Sequence, residues 1–249
     1  MSDQLFDLKD KVILIAGAAG GLGLPIARAL ADRGARLALC ARNNTELGRL
    51  EKGVPSASFY EVDITDEGSL GKAIQKIQDE HGTINGGLNA AGLWGIGGAL
   101  DLDVEEFREC LDVNITGAFL FSRACARVMV NGGGRIIHIA SVSSYVANPD
   151  YAAYASSKAA VAQMVKVLAR EWAQHNININ AIGPAMTLTP LTKPRLEDPE
   201  FSKNALDKIP MGRFGDPNDL IGIIVLLLTA GGEFITGQTI YVDGGRTLV

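Results

Sequence analysis

Short, almost wholly apolar runs alternate along the chain with longer stretches whose apolar residues recur at helical spacing. The first run, KVILIAG (residues 11–17), ends in glycine, as a strand buried on both faces does. LGLPIARALADRG (22–34) follows with helical periodicity; Pro25 falls in its first turn, where a missing N–H is tolerated, and Gly34 stops it. Strands continue at ARLALCA (35–41), ASFYEVD (57–63), INGGLNAAG (84–92), GRIIHIAS (134–141), NININAIGP (176–184) and QTIYVDGG (238–245). Between them the periodicity predicts helices at 44–52, 67–82, 103–130, 151–175 and 216–230. Such alternation predicts an α/β fold, one doubly wound parallel sheet with helices on both faces. No repeat, low-complexity tract or linker divides the chain, so residues 1–249 read as one domain. The least regular part, residues 187–215, is rich in proline and charge and reads as a long loop serving as a substrate lid.

Composition then removes several classes of function. With 47% hydrophobic and 20% charged residues the chain can bury a sizeable core. The net charge is −5 and no Lys/Arg run stands out, which argues against nucleic acid and anionic membrane as partners. The longest apolar run, residues 221–228, is far too short to span a bilayer. The opening MSDQLFDLKDK has no basic segment followed by an apolar one, so no secretory signal is read there. Cys40, Cys110 and Cys125 are odd in number and lack CxxC spacing, which predicts buried free thiols and a reducing, cytoplasmic location. His81, His138 and His175 lie far apart in no metal-ligand pattern, and no metal is expected.

Two stretches carry candidate chemistry. In AGAAGGLG, Gly17, Gly21 and Gly23, with Leu22 between the last two, join the first strand to the first helix. Glycine there permits a tight turn and lets a pyrophosphate approach the backbone, while the helix N-terminus offers free N–H groups. At the end of the second strand the position where an acid would bind the ribose 2′-hydroxyl of NAD is Ala41, and Arg42 follows it. A guanidinium can pair with a 2′-phosphate, so NADP is favoured over NAD. Asp63, ending the third strand, either accepts from the adenine amine or simply forms a turn.

In YAAYASSKAAV (151–161), Tyr154 and Lys158 are four apart and share a helix face, whereas Tyr151 has Ala155 at that spacing. A phenol ordinarily ionises near pH 10 and needs about 4 kcal/mol of help to act near neutrality. An ammonium about 4 Å away at an effective dielectric near 20 would supply about that much. The expectation is therefore a phenol acidified by its neighbouring cation.

The glycine loop, Asn89-Ala90-Ala91-Gly92, Asn114, Ser141 and Tyr154-x-x-x-Lys158 occur in order. With them the chain resembles the short-chain dehydrogenase/reductase family over nearly its whole length. The resemblance implies one Rossmann-like domain with a seven-stranded parallel sheet, commonly a homotetramer, and reversible hydride transfer between a nicotinamide cofactor and a carbonyl/alcohol pair. It implies Tyr154 as general acid/base, Lys158 as its activator and ribose ligand, Ser141 as substrate ligand and Asn114 as part of a proton path. Ser143 and Ser144 are rivals excluded only by spacing. Asn89 and Gly92 would border the cofactor, and NAIGPAMTLTP (180–190) would hold the nicotinamide through Pro184, Thr187 and Thr189. Ala16 and Ala90 depart from the family pattern and remove side-chain braces.

The stretch LTKPRLEDPEFSKNALDKIPMGRFGDPNDLIG (191–222) is similar to the family's gluconate 5-dehydrogenase branch and implies a polyol or sugar acid as substrate. A 3-oxoacyl thioester or a broad range of ketones are the alternatives, and a dinucleotide-binding redox sensor is the non-enzymatic one. Lys193, Arg195 and Arg213 are candidates to meet a substrate carboxylate, or are solvated loop charges.

Overall fold

A computed structural model describes residues 4–249. Seven strands form one sheet: β1 (Val12–Ala16), β2 (Arg36–Ala41), β3 (Ser58–Glu61), β4 (Gly86–Asn89), β5 (Gly134–Ile139), β6 (Ile177–Pro184) and β7 (Thr239–Val242). Their order is β3-β2-β1-β4-β5-β6-β7 and every pairing is parallel. The chain moves outward from β1 to β3 and then returns to place β4 on the other side of β1. The carboxyl ends of β1 and β4 thus flank the switch point where open α/β sheets bind ligands.

The strands are apolar throughout because both faces are covered. Along β1, Val12, Leu14 and Ala16 enter one core while Ile13 and Ile15 enter the other. The first core is closed by α3 (Glu67–His81), α5 (Gly117–Met129) and α6 (Ala152–Trp172). The second is closed by α1 (Gly23–Ala31), α2 (Asn44–Gly53) and α9 (Ile221–Leu228). Each fully enclosed Ile or Leu contributes about 1.5–3 kcal/mol, so the alternation fixes the register of the whole sheet. In β6 the buried Asn178 and Asn180 donate their amides to the Glu233 and Ile235 carbonyls, and Gln238 N–H donates to Asn180 Oδ1, which stitches β7 to the sheet edge.

Three expectations are corrected. The helix read at 103–130 is α4 (Val104–Leu111) and α5 joined by a π-helical turn, Asp112–Thr116. Residues 187–215 contain two short helices, α7 (Lys193–Leu196) and α8 (Pro199–Leu206), the second started by the Asp198 side chain and Pro199. The helix read at 216–230 begins as a 3-10 turn, Pro217–Leu220, before α9. Cys40, Cys110 and Cys125 are buried free thiols, as expected. Among the described residues no helix is long and apolar enough to cross a membrane, and no cluster of His, Cys, Asp or Glu could hold a metal ion.

Candidate active site

A cavity of about 530 Å³ opens over the carboxyl ends of the central strands. Gly20, Gly21 and Leu22 line one side, Ser141 and Tyr154 the floor, and Pro184, Thr187 and Thr189 another wall.

The glycine loop is shaped by close approach. Gly17 has φ +67°, and a Cβ there would lie 2.5 Å from the Ala91 backbone nitrogen, so the loop after β1 packs directly on the turn after β4. A Cβ on Gly21 would lie 2.6 Å from Thr189 Cβ. Gly23 opens α1 against the Gly17 carbonyl. A backbone-lined groove beside a helix N-terminus and between these two walls fits a dinucleotide pyrophosphate.

Asn89, buried at the end of β4, accepts the Ala91 N–H at 3.1 Å and so forms the turn that leads to Gly92 on the cavity wall. The Asn89 amide also faces His138 Nδ1 at 3.4 Å. His138 Nε2 lies 2.6 Å from Ser122 Oγ, and that hydroxyl donates to the Ala118 carbonyl. Since the serine proton is used there, Nε2–H donates and Nδ1 accepts, which defines a neutral ring. Burial, followed by the charge on Lys158, pushes His138 down to about 3. This chain braces β4 to β5 and α5, where Ala16 and Ala90 supply no brace.

Arg42 and Asp63 lie outside the cavity. The Arg42 side chain is exposed and pairs with Glu46 at 3.2 Å. Asp63 Oδ1 accepts from the Thr65 N–H and hydroxyl, so of its two readings the structure displays the turn; these bonds hold its carboxyl below the usual range. Thr187 donates to the Ala185 carbonyl, and Thr189 shares a hydroxyl contact with Thr192 at 3.1 Å, bonds that fold residues 185–192 against the cavity.

Tyr154 and Lys158 do share one face of α6, with the Lys158 nitrogen 5.7 Å from the centroid of the phenol ring. The ammonium is buried and donates to the Ile139 carbonyl at 2.8 Å. Burial brings its pKa down to about 8. The phenol does not meet the expectation of an acidified group. Tyr154 is half-buried as a whole residue because one side faces the cavity, yet its phenol is enclosed closely enough that desolvation pushes it up to about 12, opposed by the Ser141 hydroxyl. Spacing predicted the pairing correctly, but burial, which the expectation left out, sets the phenol's acidity.

Of the three serines, Ser141 is the one set against the phenol. Its oxygen accepts the Ser143 N–H at 3.1 Å, which leaves its proton to donate. Ser144 is spent on the Lys158 carbonyl at 2.9 Å, and Ser143 lines the cavity beside Ser141. Asn114 sits in the π-helical turn. Its amide pairs with both backbone groups of Leu93, at 2.7 and 2.9 Å, and donates to Ser157 Oγ at 2.9 Å. A Cβ on Gly92 would lie 3.1 Å from Asn114 Oδ1 and 3.3 Å from Lys158 Nζ, so the three meet behind the phenol.

Several cavity residues had no sequence signal that set them apart. Trp94 stacks edge-on against Tyr151, and Tyr151 against Tyr154. Phe201, Lys208 and Arg246 also line the cavity. Arg213 is held by Asp219, whereas Arg195 lines the cavity. Lys193 is exposed on α7.

A parallel sheet with a glycine-lined groove at its switch point, and a Ser, Tyr and Lys gathered on the same edge, defines a nicotinamide-dependent oxidoreductase. Residues 17–247 match the family model described as enoyl-(acyl carrier protein) reductase, and the chain belongs to that family of short-chain dehydrogenases/reductases. It is 31% identical over 252 residues to a 2-dehydro-3-deoxy-D-gluconate 5-dehydrogenase of Formosa agariphila, covering 98% of this chain and 96% of the relative. It is 34% identical to an NAD-dependent glycerol dehydrogenase of Listeria innocua, covering 99% and 97%. The crystal structure of a gluconate 5-dehydrogenase from Burkholderia cenocepacia in complex with NADP and tartrate superposes with a TM-score of 0.93 at 31% identity, covering 99% of this chain and 98% of that one. The protein is an NAD(P)-dependent oxidoreductase that acts on CH–OH groups of small carbonyl/alcohol substrates.

Proposed function

We propose that this enzyme interconverts the ketone and secondary-alcohol forms of a polyol or sugar acid, with NADP(H) preferred, and that Tyr154, Lys158, Ser141 and Asn114 carry the reaction. The observation that carries the reading is the Tyr154 phenol lining the cavity, set against the Ser141 hydroxyl, with the Lys158 nitrogen 5.7 Å from its ring centroid. A nicotinamide dinucleotide bound along the glycine loop supplies the hydride for reduction and takes it up in oxidation. Gly21 and Leu22 would hold its pyrophosphate side, and Pro184, Thr187 and Thr189 its nicotinamide side.

With its pKa near 12 the Tyr154 phenol is protonated at neutral pH, ready to donate its proton to the carbonyl oxygen in the reductive direction. Ser141 donates a hydrogen bond to the same oxygen and steadies the charge that develops there. Lys158, near 8, keeps its proton at pH 7, and its charge beneath the ring favours the phenolate as it forms. Asn114 is a positioning residue: by clamping Leu93 and Ser157 it fixes the floor beneath Lys158, and it completes the proton path from the lysine. Residues 187–215, with their two short helices forming a wall of the cavity, are read as the substrate lid. Names of relatives that act on gluconate derivatives support the substrate class.

Tyr154→Phe is expected to abolish turnover of 5-keto-D-gluconate with NADPH while leaving NADPH binding by fluorescence within about threefold, because it removes only the transferable proton. Near-normal turnover in that variant would sink the proposal.

A further inference from the structure

The cavity carries an electrostatic asymmetry that the reaction itself does not use. Although the chain as a whole has a net charge of −5, the cavity is lined by three cations, Arg195, Lys208 and Arg246, against one acid, Asp150. A cleft of one sign within a surface of the other concentrates ligands of opposite charge. The three cations differ in what already occupies them. Arg246 spends its two outer nitrogens on the Asn148 side chain at 3.2 Å and on the Val249 oxygen at 3.1 Å, which pins the end of the chain to the cavity wall. Lys208 is a flexible point charge. Arg195 lies over the Phe201 ring at 4.7 Å and faces the Trp94 ring at 6.0 Å, and among the described residues no carboxylate pairs with it. A guanidinium seated on aromatic rings, with no carboxylate partner, retains N–H groups that can fork onto a ligand carboxylate.

The same rings connect that guanidinium to the reacting end. Trp94 packs edge-on against Tyr151 with centroids 6.2 Å apart, and Tyr151 against Tyr154 at 6.0 Å. Two aromatic side chains therefore separate Arg195 from the phenol, along one wall of one cavity. A substrate whose oxygen sits at Tyr154 and Ser141 would extend along this wall toward Arg195.

Resting on the function proposed above, we infer that the substrate is a carboxylate whose acid group lies several bonds from the reacting carbon, and that Arg195, set between Trp94 and Phe201, is the residue that selects it over the neutral polyol. This narrows the polyol or sugar acid to the acid. Arg195 stands on α7 within the segment read as the lid, so the charge that recognises the substrate is carried by that segment.

The test uses a matched pair of ketones, 5-keto-D-gluconate and L-sorbose, the second being the first with a hydroxymethyl group in place of the carboxylate. NADPH-dependent kcat/KM is measured for both with the unaltered enzyme, Arg195→Met and Lys208→Met. The unaltered enzyme is expected to favour the acid. Because Arg195 is exposed, the weaker end of charged hydrogen bonding applies, so Arg195→Met should cost the acid at least about tenfold, mostly in KM. L-Sorbose and the KM for NADPH should stay within about threefold, since neither is expected to use that guanidinium. Equal losses on both ketones, a rise in the NADPH KM, or a loss on the acid from Lys208→Met alone would each overturn the assignment. Calorimetric titration of the NADP⁺-loaded Tyr154→Phe variant, which cannot turn over, with D-gluconate and with D-glucitol reads the same discrimination in binding alone, and equal affinities would overturn it. Binding that discriminates, in an enzyme that turns over neither ketone, would leave the recognition standing and remove the catalytic reading instead.

Discussion

Replacing Lys158 by methionine is expected to stabilise the free protein while removing its activity. Lys158 is 5% exposed, and its ammonium donates to the Ile139 carbonyl rather than to a carboxylate. Desolvation lowers its pKa from 10.5 to about 8. Holding that proton inside the fold at pH 7 therefore costs about 3 kcal/mol relative to the unfolded chain. Methionine fills similar space without charge, but it leaves the Ile139 carbonyl unpaired, at about 1–2 kcal/mol. The difference favours the variant by about 1–2 kcal/mol, or about 2–8 °C in Tm for a chain of this size.

The pH dependence makes this refutable independently of the net value. The folded pKa lies below the unfolded one, so this group's contribution to stability is fully present above pH 10.5 and is lost as pH falls through about 8. The unaltered protein should thus gain on the variant as pH rises, with the remaining cost of the lysine falling to about 1 kcal/mol at pH 10. At that pH the two should converge or cross. Tyr154, whose ring lies against the same nitrogen, is present in both proteins and, at about 12, titrates above the pH range compared. Equilibrium urea unfolding without dinucleotide, followed by circular dichroism at pH 7, 8.5 and 10, measures the gap. A variant less stable at pH 7, or a gap that stays constant with pH, would refute the reasoning.

Arg42→Ala is expected to lower kcat/KM for NADP⁺ by about 10–100-fold and leave NAD⁺ within about threefold, since a 2′-phosphate would have to draw the guanidinium from Glu46; equal losses on both cofactors would refute the preference. His138 should set part of the acid limb of stability. Its folded pKa, about 3, lies below the ordinary 6.5 because of burial and then Lys158, so its contribution is present above pH 6.5 and lost as pH falls toward 3. Between pH 7 and pH 4, His138→Asn should lose about 3 kcal/mol less stability than the unaltered protein; superimposable acid limbs in urea unfolding would contradict it.

The parts of this molecule legible in its sequence are those fixed by local pattern. β1 could be read because burial on both faces leaves no polar position in Val12–Ala16, and the glycine loop because only glycine fits where a Cβ at position 17 would strike Ala91. The pairing of Tyr154 with Lys158 followed from helical spacing alone. What could not be read depends on residues distant in the chain. The π-helical turn at Asp112–Thr116 is held through Asn114 by Leu93 and Ser157, 21 and 43 residues away, and no local propensity encodes it. The helix Pro199–Leu206 was legible from Asp198 and Pro199, a capping signal that the density of charge around it concealed. The acidity of Tyr154 could not be read at all, because spacing fixes which charge stands near a phenol but not how much water is displaced from it. With desolvation raising the phenol and lowering the ammonium, the two pKa values move apart, to about 12 and about 8 from ordinary values of 10.0 and 10.5. At pH 7 the resting pair is therefore a neutral phenol beside a protonated ammonium. A proton that must leave toward a carbonyl oxygen is useful only if the charge left behind is stabilised at that moment, and the buried ammonium, still protonated at pH 7, is placed for that task.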